Sequence, residues 1–225
     1  MRAFVIAMES EAAAVRPHLR PDDRLFVSGI GKVNAAAATQ RAIDAGATEI
    51  WNAGVAGGFD PAQAVGDACV IDRAVEYDFD LVEVNGTRIG VHNERTTPYF
   101  ACVADFAPEL PRATLATGDR FSDSDADLAT LADLAAPVRD MEGAAIAHVC
   151  ETNGVPCRIV KCLSDVHGKG SMTGQYRDNL VRALAALSAT RATALRAGGP
   201  RAADSAESLR AGRRAPFFLM YSMPL

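Results

Sequence analysis

Short apolar runs alternate along this chain with stretches of helical periodicity, and that alternation limits the available folds more than any other feature. Ala3 to Met8, Leu25 to Ser28, Glu49 to Asn52, residues 68–75, Ala113 to Thr117 and Val155 to Leu163 read as strands. Several are almost unbroken apolar runs, the pattern of strands covered on both faces. Between them, Glu9 to Arg16 reads as a helix ended by Pro17, and Lys32 to Ala45 as an Ala-rich helix closed by Gly46. Ser124 to Leu134 and Met141 to Asn153 are also helical, and Leu180, Leu184, Leu187 and Leu195 mark one face of a closing helix. Asn85-Gly86 predicts a tight hairpin within Leu81 to Val91, followed by a polar loop from His92 to Tyr99. Strands that alternate with helices build a mainly parallel α/β sheet flanked by helices, here in one domain. That domain is expected over residues 1–197. Residues 198–225 open on Gly-Gly-Pro, lack strand or helix periodicity, and are expected to form a flexible extension.

The composition suits such a core: of 225 residues, 49% are hydrophobic and 23% charged. The net charge of −5 argues against nucleic acid or an anionic membrane as the main partner. The N-terminal apolar run is too short for a signal-peptide core or a membrane span. Cys69, Cys102, Cys150, Cys157 and Cys162 form no CxxC pair and no Cys/His metal spacing. Reduced, buried thiols in a reducing cytoplasm are the expectation.

Chemistry gathers at the punctuation. In a parallel sheet, ligands bind at the carboxyl ends of the strands. Met8-Glu9-Ser10-Glu11, Ser28-Gly29-Ile30-Gly31, Gly54 to Gly58, Gly118 to Phe121 and Ser164-Asp165 all fall there. Another acid, Glu142, opens the helix after Asp140-Met141. A single acid in a helix's first turn is also what the helix dipole favours. It is the coincidence of three acids with glycine turns that points to acid/base work on a polar, hydroxyl-rich ligand. The glycine loops match neither a P-loop nor a dinucleotide fingerprint. His148 reads as a partly buried helix residue, while His92 and His167 lie in polar loops.

The motifs SGIGKVNAA (28–36), NAGVAGG (52–58), VGDACVIDRAVEYDFD (65–80), TGDRF (117–121), DMEGAAIAHVC (140–150) and SDV (164–166) follow a known order. Together they resemble the nucleoside phosphorylase/nucleosidase superfamily, and within it most resemble the 5′-methylthioadenosine/S-adenosylhomocysteine nucleosidases. The resemblance runs from Met1 to about Leu195. It implies a three-layer nucleoside phosphorylase-like fold and hydrolysis of a purine N-glycosidic bond, with neither metal nor organic cofactor. By the same resemblance Glu11 would activate water and Asp165 would protonate the departing purine. Glu142 would grip the ribose hydroxyls, with Met141 beneath the sugar. Phe121 would stack on the base and the backbone of Ser122 would read its edge. Met8, Ala56, Gly57 and Ser164 would complete the lining. The implied assembly is a cytoplasmic homodimer. Two carboxylates working on opposite sides of a sugar follow the logic of an inverting glycosidase.

The chain departs from the pattern in places. Between Leu19 and Leu25 the superfamily carries an extra strand pair that this chain has no room for. Val55 stands where Ser or Thr is usual, Ser122 where an apolar residue is usual, and Asp140 and Gly143 where Glu and Ala are usual. The Met-Glu-Gly-Ala-Ala form also occurs in futalosine hydrolases. Residues 82–99, which in the superfamily help close the 5′ pocket, have their own sequence. Related phosphorylases place arginines where this chain has Met8 to Glu11 and Trp51-Asn52, and an acid there repels phosphate. Hydrolysis is therefore expected. A futalosine-type hydrolase, a phosphorylase and a nucleoside-binding protein without turnover remain the competing readings. Truncation after Gly199 is expected to leave melting temperature and activity intact. A large drop in melting temperature would show instead that Phe217 to Leu225 packs on the domain.

Overall fold

In the computed structural model, which describes residues 1–92, 95–121 and 124–197, the first apolar run forms strand β1 (Arg2–Ile6). Phe4, Val5 and Ile6 are fully buried, so β1 is covered on both faces. It pairs in parallel with β2 (Arg24–Val27) on one side and β3 (Glu49–Gly58) on the other. The remaining strands are β4 (Ala68–Glu76), β5 (Tyr99–Ala101), β6 (Arg112–Thr117), β7 (Val138–Asp140) and β8 (Cys157–Val166). β3 pairs in parallel with β8, β4 with β6, and β6 with β7. Antiparallel contacts of β8 with β4 and of β7 with β3 then close β3, β8, β4, β6 and β7 into a ring. β1 and β2 extend one side of it, and β5 adds antiparallel to β4.

Helices cover both faces. α2 (Lys32–Asp44) and α5 (Gly143–Asn153) pack together on one side, where Ala35, Ala38 and Ala42 meet Ala144, Ile146 and Ala147 in the main core. α1 (Glu9–Val15) and α6 (Met172–Ala197) cover the other, over Phe4, Ile6, Trp51 and Val160. Alanine-rich faces let α2 and α5 approach closely, which is why these helices carry so little bulk. α4 (Asp125–Asp133) is capped by Ser124, whose side chain accepts the Asp127 N–H, and Leu131 lies in a third cluster with Tyr77. The expected mainly parallel, three-layer α/β domain is observed. Residues 19–23 contain no strand and β2 is a sheet edge, so the trimming falls where expected.

Several local expectations are corrected. No hairpin forms at Asn85-Gly86: residues Val82–Asn85 make one helical turn, α3, which Gly86 ends at φ 71°. A left-handed glycine closes a helical turn as readily as it turns a hairpin, so the dipeptide alone does not choose. The Gly54–Gly58 segment continues β3 rather than looping out, and Ser164 and Asp165 lie inside β8. β5 and β7 are three residues each, too short for a periodic signal. α5 begins at Gly143, leaving Met141 and Glu142 before its first turn. The five cysteines form no disulfide, with Cys69, Cys150, Cys157 and Cys162 buried and Cys102 half-buried. Among the described residues no helix is long and apolar enough to cross a membrane. Leu187 is buried and Leu184 partly so, as the closing helix requires. The side chain of Leu195, the backbone of Ser122 and the extension 198–225 lie outside the described residues.

Candidate active site

A cavity of about 330 Å³ opens at the carboxyl ends of β1, β3 and β8, within the range that holds a small ligand. β1 and α1 contribute Met8 and Glu11, β3 contributes Ala56 and Gly57, and β8 contributes Ser164 and Asp165. The segment before α5 adds Met141 and Glu142, and Phe121 comes from the loop after β6. Of the site residues expected from the sequence, Ser122 alone is outside the described part. Asp140, Ile30, Arg120, Arg139 and Tyr176 also line the cavity. His148, His92 and His167 do not.

Glu11 is buried because α1 starts directly after β1 and turns its third residue inward. Its carboxylate accepts the Val55 N–H at 2.8 Å and the Met8 N–H at 3.1 Å. A side chain at position 54 would not fit: a Cβ there would stand 2.4 Å from Glu11 Oε1. Burial holds the Glu11 pKa above the ordinary carboxylate value, while Lys161 and the two backbone donors act against the shift. Raised basicity suits a group that takes a proton from water.

Asp165 owes its position to a bulge. The β3–β8 register runs Ala56 opposite Leu163 and then Gly57 opposite Asp165, so Ser164 has no partner position. An extra residue re-aims the side chains around it. The Ser164 hydroxyl donates to Asp165 Oδ1 at 2.6 Å and fixes the carboxyl, which is 1% exposed. Gly57 again leaves the space: a Cβ would come within 2.9 Å of Asp165 Oδ2.

Glu142 accepts the Gly31 N–H at 2.9 Å from the Gly29-Ile30-Gly31 turn. That turn is itself tied down, since the Lys32 N–H donates to Asp119 Oδ1 at 2.7 Å and Lys32 Nζ reaches Asp78 Oδ1 at 2.6 Å. Burial and the charge of Asp140 push Glu142 up to about 7. The cation that makes the cluster tolerable is Lys161, only 2% exposed. Its Nζ lies 2.8 Å from Asp140 Oδ2. Burial works against its charge, but Asp140, Glu142 and Glu11 together keep the ammonium's pKa above the ordinary lysine value. Asp140 in turn accepts the Gly143 N–H at 2.8 Å and the Thr117 hydroxyl at 2.5 Å. The sequence reading missed Lys161, one of two charges, with Arg158, inside the otherwise apolar run Val155 to Leu163.

At the mouth Phe121 is 48% exposed and meets Tyr176 edge-on, with ring centroids 5.8 Å apart. The Tyr176 hydroxyl donates to the Met8 sulfur at 3.6 Å, so an apolar, polarizable wall faces the three acids. Tyr176 had no signal beyond its place on a polar face of the closing helix. Arg139 is buried beside Asp127 at 3.7 Å, with its guanidinium 4.9 Å from the Phe59 ring centroid.

Residues 24–196 match the family model of the phosphorylase superfamily, most of the chain. The chain belongs to that superfamily. Within it, the chain is 36% identical over 163 residues to a 5′-methylthioadenosine/S-adenosylhomocysteine nucleosidase of Marinomonas sp. (strain MWYL1), covering 65% of this chain and 69% of that one. It is 31% identical over 156 residues to an aminodeoxyfutalosine nucleosidase of Campylobacter jejuni, covering 64% and 68%. The solved structure of the futalosine hydrolase of Helicobacter pylori superposes with a TM-score of 0.77 at 21% identity, covering 85% of this chain and 95% of that one. That level of identity speaks for the shared fold alone.

The raised pKa of Glu142 carries a pH prediction. In the unfolded chain the group titrates near 4.5 and in the fold near 7. Its contribution to stability is thus full below pH 4.5 and is lost as pH rises through 7. Glu142→Gln should melt higher than the wild type at pH 8, with the gap closing towards pH 4.5. Thermal melts across that range check this, and parallel curves for the two proteins would refute it.

Proposed function

We propose that the protein hydrolyses the N-glycosidic bond of a purine nucleoside of the 5′-methylthioadenosine/S-adenosylhomocysteine type, releasing the free base and the ribose derivative. The observation that carries this reading is the convergence of Glu11, Glu142 and Asp165 on one cavity, with the buried Lys161 acting on Glu11 and Glu142. Breaking the bond leaves electrons on the purine and positive charge on the ribose. Asp165, oriented by Ser164, donates a proton to the imidazole ring of the leaving base. Glu11, made more basic by burial, takes a proton from the water that attacks the sugar carbon. Each transfer contributes about 10²–10⁴-fold to rate. Glu142 accepts from the ribose hydroxyls, and its negative charge gains value as the sugar becomes cationic. Met8, Ala56, Gly57 and Met141 shape the sugar and base contacts, and Phe121 with Ser122 holds the purine. No step needs a metal or organic cofactor.

The names of the similar proteins support the reaction class. A second reading, a futalosine-type nucleoside as substrate, has support from the Campylobacter relative. We place the protein in the cytoplasm as a homodimer, with residues 1–197 as the working domain. Exposed Ile30, Val33, Val82 and Val84 favour the dimer, because Ile30 also borders the cavity. A partner covering that corner would help enclose the 5′ end of the ligand.

Base release from methylthioadenosine, inosine and futalosine with and without phosphate tests the reaction. Equal rates without phosphate are expected, and strict phosphate dependence with a ribose 1-phosphate product would make it a phosphorylase. Asp165→Asn should keep nucleoside binding while turnover falls about 10²–10⁴-fold. A near-normal rate with weakened binding would remove Asp165 from the role of acid.

A further inference from the structure

Outside the cavity, the end of β4, the loop that follows α3 and the middle of α5 bring together Glu76, His92 and His148. Glu76 Oε1 lies 2.9 Å from His148 Nδ1 and 3.7 Å from His92 Nε2. One donor atom from each of the three residues falls within 4.8 Å of the other two. None of the three lines the nucleoside cavity. We propose that these residues form a binding site for one divalent transition-metal ion of the Zn²⁺ class, separate from the hydrolytic site.

The donor set fits that class. Two imidazoles and one carboxylate suit Zn²⁺ and its neighbours, and do not suit Mg²⁺ or Ca²⁺, which favour oxygen donors. Ligand bonds of about 2.0–2.2 Å on a tetrahedral ion put neighbouring donor atoms roughly 3.3–3.5 Å apart. Glu76 Oε1 stands 2.9 Å from one nitrogen and 3.7 Å from the other, and all three donor atoms lie within 4.8 Å, so rotation of the rings would bring the two nitrogens to that spacing. His92 Nε2 is buried and makes no hydrogen bond among the described residues, which leaves its lone pair to a ligand.

The surroundings hold the donors in place. Phe79 stacks on the His92 ring at 3.8 Å and Phe100 on the His148 ring at 4.3 Å, fixing both planes. Glu76 turns its other oxygen to Lys32 Nζ at 3.1 Å, the kind of outer contact that orients a ligating carboxylate. Lys32 is a cation close to the site, and Asp78 at 2.6 Å offsets its charge. Arg95 stands over the Phe100 ring, and its guanidinium also pairs with Glu151. The His148 side chain is 37% exposed, which gives an ion a way in. Three protein donors leave a fourth position for water.

Titration of the chelator-treated full chain with Zn²⁺, and with Co²⁺ as a spectroscopic probe, tests this. One equivalent should bind per chain and raise the melting temperature. Visible Co²⁺ absorption should show nitrogen and oxygen donors without a thiolate charge-transfer band. His148→Gln and Glu76→Gln should each weaken binding at least tenfold. His92→Gln, which lies outside the regular strand and helix that carry Glu76 and His148, should do the same, and a preserved far-UV spectrum in each variant separates lost binding from misfolding. No binding of either ion, unchanged affinity in all three variants, or a thiolate band that assigns the ion to cysteines would each overturn the proposal.

Discussion

Everything at the cavity depends on the Lys161–Asp140 ion pair. Four carboxylates (Glu11, Asp140, Glu142 and Asp165) are buried within one region of the fold. Each would lose hydration on folding, and acids packed near one another disfavour a common ionised state. A single buried ammonium, 2.8 Å from Asp140, also offsets the charge of Glu142 and Glu11. Its own burial is costly unless it is paired and hydrogen-bonded. Lys161 therefore ties the folding of β8 to the ionisation of residues delivered by α1, β7 and the start of α5. The result is a graded set. Asp140 is committed to Lys161 and to the Gly143 N–H, while Glu142 and Glu11 have pKa values raised by burial. Glu142, near 7, can exchange a proton near neutral pH.

The backbone makes that cluster possible. β3 and β8 run side by side for most of their length, and the bulge at Ser164 breaks the register where the acid is needed. On β3, Gly54 and Gly57 face Glu11 and Asp165 so closely that any side chain there would displace a carboxylate. Closure of the sheet through β7 brings Asp140 and Glu142 to the same end. The Gly29–Gly31 turn, held by Lys32 and Asp119, supplies the amide that Glu142 accepts. The same lysine reaches Glu76, so one residue links the cavity wall to the His92–His148 cluster.

Long strands and helices were legible because their periodicity or apolar run extends over many residues. β1, β6, α2, α4 and α5 come within a residue or two of their expected bounds. The short strands β5 and β7 were not legible, since three residues carry no period and their pairing partners are distant in sequence. Asn85-Gly86 was misread because a left-handed glycine serves two local structures, and packing selects between them. Met8, Glu11, Ala56, Gly57, Phe121, Met141, Glu142, Ser164 and Asp165 could be picked out through their place at strand ends and through family motifs. Lys161, Arg139 and Tyr176 could not, because a single charged or aromatic residue in a regular element has no pattern to mark it.

By itself the sequence determined the class of fold and the acids and glycines gathered towards the carboxyl side of its strands, because those follow from local periodicity and residue chemistry. Tertiary structure alone decided the closure of the sheet into a ring, the bulge that aims Asp165, and the burial of Lys161 beneath acids from separate segments. Those features depend on contacts between residues far apart in the chain. Their energies come from desolvation and charge pairing, which exist only once the segments have met.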